Sequence, residues 1–466
     1  MAISSALNAA LSGLTVTARR AEIVSSNIAN AATPGYGRRE VAVQPDARAP
    51  GVQMLEIRRQ SDLILTTDRR SAGASAGAAD YLAEQLLRLE RAYGTPGDGA
   101  GLGDAVAALD RALITAAATP ESTAALSAVA TTAKDLTRRF ADVSDMITRV
   151  RAEADRGIAA DVASLNTNLS RIAGLDSQIV AERAAGRDIS SLMDQRQQLI
   201  DRVADVIPLR EVPRPDGRPA LVALNGAVLL DGRPAKFGFT PAVAISASDT
   251  APLSGLTLNG QAVGTGPTGL MAGGSLTARF GMRDEIAPDL QSGLDALAVE
   301  LATRLSAADP TLGPSAPGLL TDAGRPIDVG LTAGLSARLQ LNTVADPDAG
   351  GDLRYLRDGL GAPSPGPVGE SRQLRAYQAA LADPAPVSIA GMAGALLDTV
   401  STRRTLAEDE ASRTAARATT LSEAEAAKGV NTDTELQDLL QIEKAYAANA
   451  RVMQVADGLL QTLLEI

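Results

Sequence analysis

Residues 6–40 read ALNAALSGLTVTARRAEIVSSNIANAATPGYGRRE, and the spacing in this stretch decides the kind of fold to expect. Ser4, Leu7, Leu11, Leu14, Ala18, Ala21, Ser25 and Ile28 recur by threes and fours, the step that gathers side chains on one face of an α-helix. Arg19, Arg20 and Glu22 fall across from that seam. The helix also has a defined end. Asn27 and Asn30 offer amides to exposed backbone groups, and Thr33-Pro34-Gly35-Tyr36 then enforces an extended turn. At the other end of the chain, Leu439, Tyr446, Met453 and Leu460 repeat every seven residues, interleaved with Ile442, Asn449, Ala456 and Leu463. Asn449 at a seam position weakens a coiled coil but fixes its register. Such helices are stable only when packed on a body or on copies of themselves.

Working inward, Leu126, Val129, Ala133, Leu136, Phe140, Val143, Ile147 and Val150 keep helical step, and Ile158, Val162, Leu165, Leu169, Ile172, Leu175 and Ile179 continue it. This predicts one long helix or two stacked ones. A further helix fits residues 188–206, bounded by Gly186 and Pro208. The pattern then changes: residues 208–370 carry 24 of the 42 Gly and 17 of the 24 Pro, which long helices do not tolerate. There, Asn225-Gly226 between two β-prone runs predicts a type I′ hairpin. Ile286, Leu290, Leu294, Leu297, Leu301 and Leu305 form a helical island with Pro288 in its first turn. Past Pro384 and Pro386 the chain returns to Ala-rich helix with a break near Lys428-Gly429.

The expected fold class is therefore mainly α. Long coiled-coil-like terminal helices and a helical-bundle domain have their N- and C-terminal halves packed together, around a β-rich inserted domain. The expected division is 1–50 with 428–466 as terminal helices, 51–210 with 273–310 and 373–427 as the helical domain, and 211–272 with 311–372 as a β-rich outer insert.

Composition narrows the chemistry. A chain of 466 residues without His or Cys has no imidazole or thiolate nucleophile, no zinc site of the usual ligands and no disulfide. Its net charge of −11, with no basic cluster, argues against nucleic acid or an anionic membrane surface as partner. No stretch has the roughly 20 apolar residues of a membrane-spanning helix, and residues 1–14 lack the charged and apolar regions of a cleaved signal peptide. Gly264-Thr265-Gly266-Pro267-Thr268-Gly269 spells a dinucleotide motif, but Pro267 interrupts it and no helix opens directly after it. Asp346, Asp348 and Asp352 begin like a calcium loop, yet the twelfth position is Arg357. Glu408, Asp409 and Glu410 read as a solvated helix face. No catalytic, cofactor-binding or metal-ligating residue is expected.

The two ends also resemble a known family. Ser12-Gly13-Leu14, Ser26-Asn27-Ile28-Ala29-Asn30 and Thr33-Pro34-Gly35-Tyr36 with Arg38 resemble the N-terminal signature of the flagellar rod, hook and hook-associated axial proteins. Gly429-Val430-Asn431, Glu443-Lys444-Ala445-Tyr446 and Asn449-Ala450-Arg451-Val452 look like the matching C-terminal signature. Leu192-Met193-Asp194-Gln195-Arg196 before Leu229-Leu230-Asp231-Gly232, and the 273–305 stretch with Arg283-Asp284, resemble the members at the hook–filament junction rather than hook or rod subunits. Ser26, Arg39 and Thr432-Asp433-Thr434 depart from the usual residues, none at a seam position.

The resemblance implies a structural protein of the flagellum, not an enzyme, that reaches the cell exterior through the flagellar type III channel. It implies as partners further copies of itself, the hook protein, the next junction protein and an export chaperone on the C-terminal helix. Leu7, Leu11, Leu14, Ala18, Ala21, Asn27, Ile28, Asn30 and Thr33 to Tyr36 would then lie at subunit interfaces. So would Leu439, Ile442, Tyr446, Asn449, Met453, Ala456, Leu460 and Leu463. The alternatives are a hook or rod subunit, a carboxylate-only glycosidase with two acids facing a cleft, or an adhesin working through residues 311–372.

Overall fold

Helix α1 (Ala2–Ala29) realises the N-terminal periodicity and is followed by an antiparallel hairpin, β1 (Arg39–Pro45) and β2 (Val52–Arg59). The computed structural model describes residues 2–464 apart from 34, 48–49, 95–98 and 100. Three helices come next: α2 (Leu63–Tyr93), α3 (Leu102–Ala118) and α4 (Thr123–Ala184). The two in-phase runs are thus one helix of 62 residues, about 93 Å long at 1.5 Å per residue. Ser122 caps it, its side chain accepting from Ala125 N–H. Helix α5 (Ser190–Val206) turns back along it.

The β segment holds a four-stranded sheet of β3 (Leu209–Val212), β4 (Ala220–Ala223), β5 (Val228–Asp231) and β6 (Arg233–Pro234). Beside it is a three-stranded sheet of β7 (Phe237–Gly238), β8 (Leu256–Leu258) and β9 (Gln261–Val263). The Asn225-Gly226 hairpin exists, but its turn is not type I′. Only Gly226 has positive φ, at 97°, and Ala223 N–H bonds Ala227 O across a three-residue loop with a bulge in the ladder. The type I′ pair is Asn259-Gly260, with φ of 52° and 83°, linking β8 to β9.

Next come α6 (Gly274–Gly281), a π-turn over Met282–Ile286 and α7 (Ala287–Ala307), without a break in helical backbone. Pro288, lacking an N–H, sits just after the π-turn. Residues 311–372 contain β10 (Leu320–Asp322), α8 (Leu335–Arg338), β11 (Leu339–Leu341) and α9 (Arg354–Asp358) among turns. Helices α10 (Arg372–Ala382), α11 (Ile389–Ala427) and α12 (Thr432–Leu464) complete the mainly α fold.

Helix α4 is the spine of two cores. From Ala125 to Ala154 its buried face joins α3, α7 and the 319–381 segment; from Ile158 to Ile172 it joins α5, α6 and the sheets. Asp155 stands at the changeover, where it pairs at 2.7 Å with Arg283 of the π-turn. Arg283 is 1% exposed and stacks on Phe239 and Phe280. Helices α2 and α11 run antiparallel, as the Arg404–Glu90 and Arg69–Glu425 pairs show. Their seam is made of small residues such as Ala72, Ala76, Ala79 and Ala411, which is why it leaves little large-apolar period to read.

Candidate assembly interface

Helices α1 and α12 form an antiparallel pair carrying both signatures, with Asn27 beside Glu435 and Gly13 beside Asn449. The close approach at Gly13 explains its residue type: a Cβ there would lie 2.8 Å from Asn449 Nδ2. Its neighbour Ser12 serves the other side of α1. Ser12 Oγ accepts from Val52 N–H at 3.2 Å and donates to Ala9 O at 2.9 Å, fixing the tip of the β1–β2 hairpin along the helix.

The end of α1 is a polar knot. Asn27 is wholly buried and uses its full amide capacity: Nδ2 donates to Arg39 O and Glu435 Oε2, and Oδ1 accepts from Arg39 N–H and Tyr36 Oη. Glu435, also wholly buried, accepts Arg38 Nε at 2.6 Å. Asp194 of α5 accepts Gly37 N–H, Arg39 Nη2 at 2.6 Å and Arg59 Nε at 2.9 Å. Gly35 has φ of 79°, and a side chain there would meet Gln198. Asn30 Nδ2 donates to Ser26 O and closes the helix end, while Asn431 caps α12 by accepting from Asp433 and Thr434 N–H. The extended turn is therefore a docked segment, and not only a helix stop.

Of the residues singled out on α1, Leu7, Leu14, Ala21 and Ile28 are half-buried, while Leu11 and Ala18 are exposed. The fully buried positions are Ala10, Val16, Thr17, Ile23, Val24 and Asn27, so the face against the rest of the chain is rotated from the periodic seam. On α12, Ile442 and Ala456 are buried, Leu439, Asn449 and Met453 half-buried, and Tyr446 and Leu460 exposed. In the turn, Asn30, Gly35 and Tyr36 are half-buried and Thr33 is exposed. Pro34 and the side chain of Leu463 lie outside the described residues. Leu436, Leu440, Val452, Val455 and Leu459 add large exposed apolar groups to α12.

The sequence reading missed Glu435 and Arg59. Glu435 lies seven residues before Ile442, in phase with the seam, which is the one available signal for a carboxylate turned inward. Arg39, a departure from the family pattern, is an Asp194 partner and stacks 4.7 Å from the Tyr36 ring.

One cleft of about 700 Å³ beside the knot contains Asp62, Asp201 and Glu425. Each is matched to a cation: Asp62 to Lys428, Asp201 to Arg69 and Arg70, Glu425 to Arg69. The hydrogen bond from Lys428 holds the Asp62 carboxyl below its usual range, the opposite of what a general acid needs. Among the described residues no three His, Cys, Asp or Glu side chains are placed to share a metal ion. Asp346 and Asp348 instead hold Lys134.

Three protein families match successive parts of the chain. The family described as the flagellar hook-associated protein FlgK helical domain matches residues 39–310, more than half of the chain. The flagella basal body rod protein family matches 7–36, and the flagellar basal body rod FlgEFG protein C-terminal family matches 423–466. Flagellar hook-associated protein 1 of Bacillus subtilis is 26% identical over 238 residues, 46% of this chain and 47% of that protein. Its namesake in Salmonella typhimurium is 24% identical over 245 residues, 50% and 44% respectively. The chain thus spans about half the length of the curated relatives it matches. The solved flagellar hook junction protein FlgK from Burkholderia pseudomallei superposes with a TM-score of 0.47 at 18% identity, over 55% of this chain and 47% of that one.

Proposed function

The chain belongs to the family of the flagellar hook-associated protein FlgK, a family of flagellar structural proteins and not of enzymes, and on that premise we propose that it builds the junction between hook and filament. The observation that carries this reading is the α1/α12 pair. It ends in a tip where α1 begins and α12 ends, and its narrow buried seam leaves seven large side chains of α12 exposed among the described residues, Leu436, Leu440, Tyr446, Val452, Val455, Leu459 and Leu460, together with Leu11 of α1. Repetition of one contact from copy to copy generates a ring or an open helical tube, and burying these side chains is what stabilises such an array.

In this reading residues 1–50 and 428–466 form the inner layer of the tube, with strand β2 (Val52–Arg59) carried along by its pairing with β1, and the rest of 51–210 with 273–310 and 373–427 forms the helical body. Residues 211–272 and 311–372 lie outermost. Leu7, Leu11, Leu14, Ala18 and Ala21 of α1 face neighbouring copies with Tyr446, Met453 and Leu460 of α12. Hook protein binds below and the next junction protein above. During export through the flagellar type III channel, a chaperone covers the apolar residues of α12. No catalytic step and no cofactor enters this account.

Electron microscopy of cells lacking the gene, with an assay for shed flagellin, tests it. Bare hooks with flagellin in the medium are expected. Missing hooks would move the chain to a hook or rod subunit; normal filaments would overturn both.

A further inference from the structure

The α1/α12 pair and the β1–β2 hairpin that lies on α1 connect to the rest of the chain through only two covalent crossings, residues 60–62 and 428–431. These crossings are neighbours, because Lys428 Nζ pairs with Asp62 Oδ2 at 2.7 Å. Two adjacent crossings define a hinge axis and do not by themselves fix an angle about it. A third fastening off that axis would fix it, and Asp194 supplies one. It belongs to α5 in the body, is buried, and takes three donors that all come from the terminal unit: Gly37 N–H, Arg39 and Arg59. Arg59 also donates to Gly35 O at 3.2 Å. Between this fastening and the hinge lies the cleft of about 700 Å³, with Gly35, Gly37 and Arg59 on one wall and Asp62, Lys428 and Val430 on another. A further ion pair between the unit and α5, Arg19 to Asp188 at 3.6 Å, is partly exposed and weak.

Glu435 does a different job. It binds Arg38 and Asn27, groups of the terminal unit itself. Alternate side chains of extended chain point to opposite sides, and Arg38-Arg39 uses this: Arg39 turns to the body carboxylate and Arg38 to the carboxylate of α12, while Gly37 gives the body carboxylate its backbone N–H.

We propose that Asp194 is the lock on a hinge at residues 60–62 and 428–431, setting the angle of the terminal unit on the body, while Glu435 holds the unit together. Releasing Asp194 lets the unit swing as a rigid piece, with α1 and α12 still paired; releasing Glu435 separates α1 from α12. This inference rests on the geometry of the single chain and not on the flagellar reading.

The cysteine-free chain suits pairs of spin labels. One pair, at Ala18→Cys and Lys444→Cys, reports the distance between α1 and α12; another, at Ala18→Cys and Arg171→Cys, reports α1 against α4. All three positions are exposed. Both distances should be narrow in the parent. Asp194→Asn should broaden the α1–α4 distance alone, and Glu435→Gln should broaden the α1–α12 distance. Arg39→Gln with Arg59→Gln releases the same lock without touching α5 and should reproduce the Asp194→Asn result. An Asp194→Asn chain with both distances narrow, or with both equally broad, would overturn the lock, as would a parent chain whose α1–α12 distance is already broad.

Discussion

Gly13 and Asn27 are the residues on which the terminal pair turns. Gly13→Ala pushes a methyl group into the Asn449 amide, an overpacking that costs about 1–3 kcal/mol. Trimming the partner should relieve it, so Gly13→Ala with Asn449→Ala is expected to be less damaging than the sum of the two. Hydrogen exchange of the α12 amides reads each variant, and simple additivity would mean that the contact does not exist. Asn27→Ala leaves the Arg39 N–H and C=O and one oxygen of Glu435 without their Asn27 partner, while the Tyr36 hydroxyl keeps Ser26. A loss of about 1–3 kcal/mol in local opening free energy at the first turns of α12 is expected; unchanged exchange there would refute the knot.

At the scale of elements, two helices carry opposite expectations. Val455→Glu with Leu459→Glu changes side chains that are exposed in the single chain. Helicity and melting should stay as in the parent while polymerisation, followed by sedimentation, fails; a lowered melting temperature would instead make α12 part of an ordinary core. The α6–π-turn–α7 element is the reverse case. Arg283→Met removes the partner of Asp155 inside the protein, and an orphaned buried charge costs about 3–5 kcal/mol. Thermal unfolding should show that loss, and a change below about 1 kcal/mol would mean that the charge finds another partner.

For the whole molecule, two buried tyrosines set an alkaline limit. Burial pushes the hydroxyls of Tyr93 and Tyr377 above their ordinary range, and the nearby Asp309 carboxylate raises Tyr377 further. Tyr93 donates to Leu290 O and Tyr377 to Asp309 Oδ2. The folded chain keeps these protons while the unfolded chain releases them near its ordinary value of 10.0. Their contribution is therefore complete below about pH 10 and is lost as pH rises beyond it. Melting temperatures measured across that range should fall with pH, and Tyr93→Phe with Tyr377→Phe should flatten the fall; an equal fall in the double variant would place the cause elsewhere.

The long-range plan is legible along the chain before any tertiary contact is known. The heptads of α12, the long apolar run of α4 and the Gly- and Pro-rich middle are local periodicities, and local periodicity states its own secondary structure. Helix α2 and the β1–β2 hairpin were not legible, because a stretch whose buried positions are largely Ala and a strand pair in which Val41 alone is buried carry little apolar contrast. The Asn225-Gly226 turn was placed correctly but typed wrongly, since the bulge that follows it is set by how β4 and β5 pair. Which face of α1 is covered follows from packing alone. That face is chosen by where α12 and the hairpin arrive from residues hundreds of positions away, and by Asp194, Arg59 and Glu435, whose roles exist only once those distant segments meet.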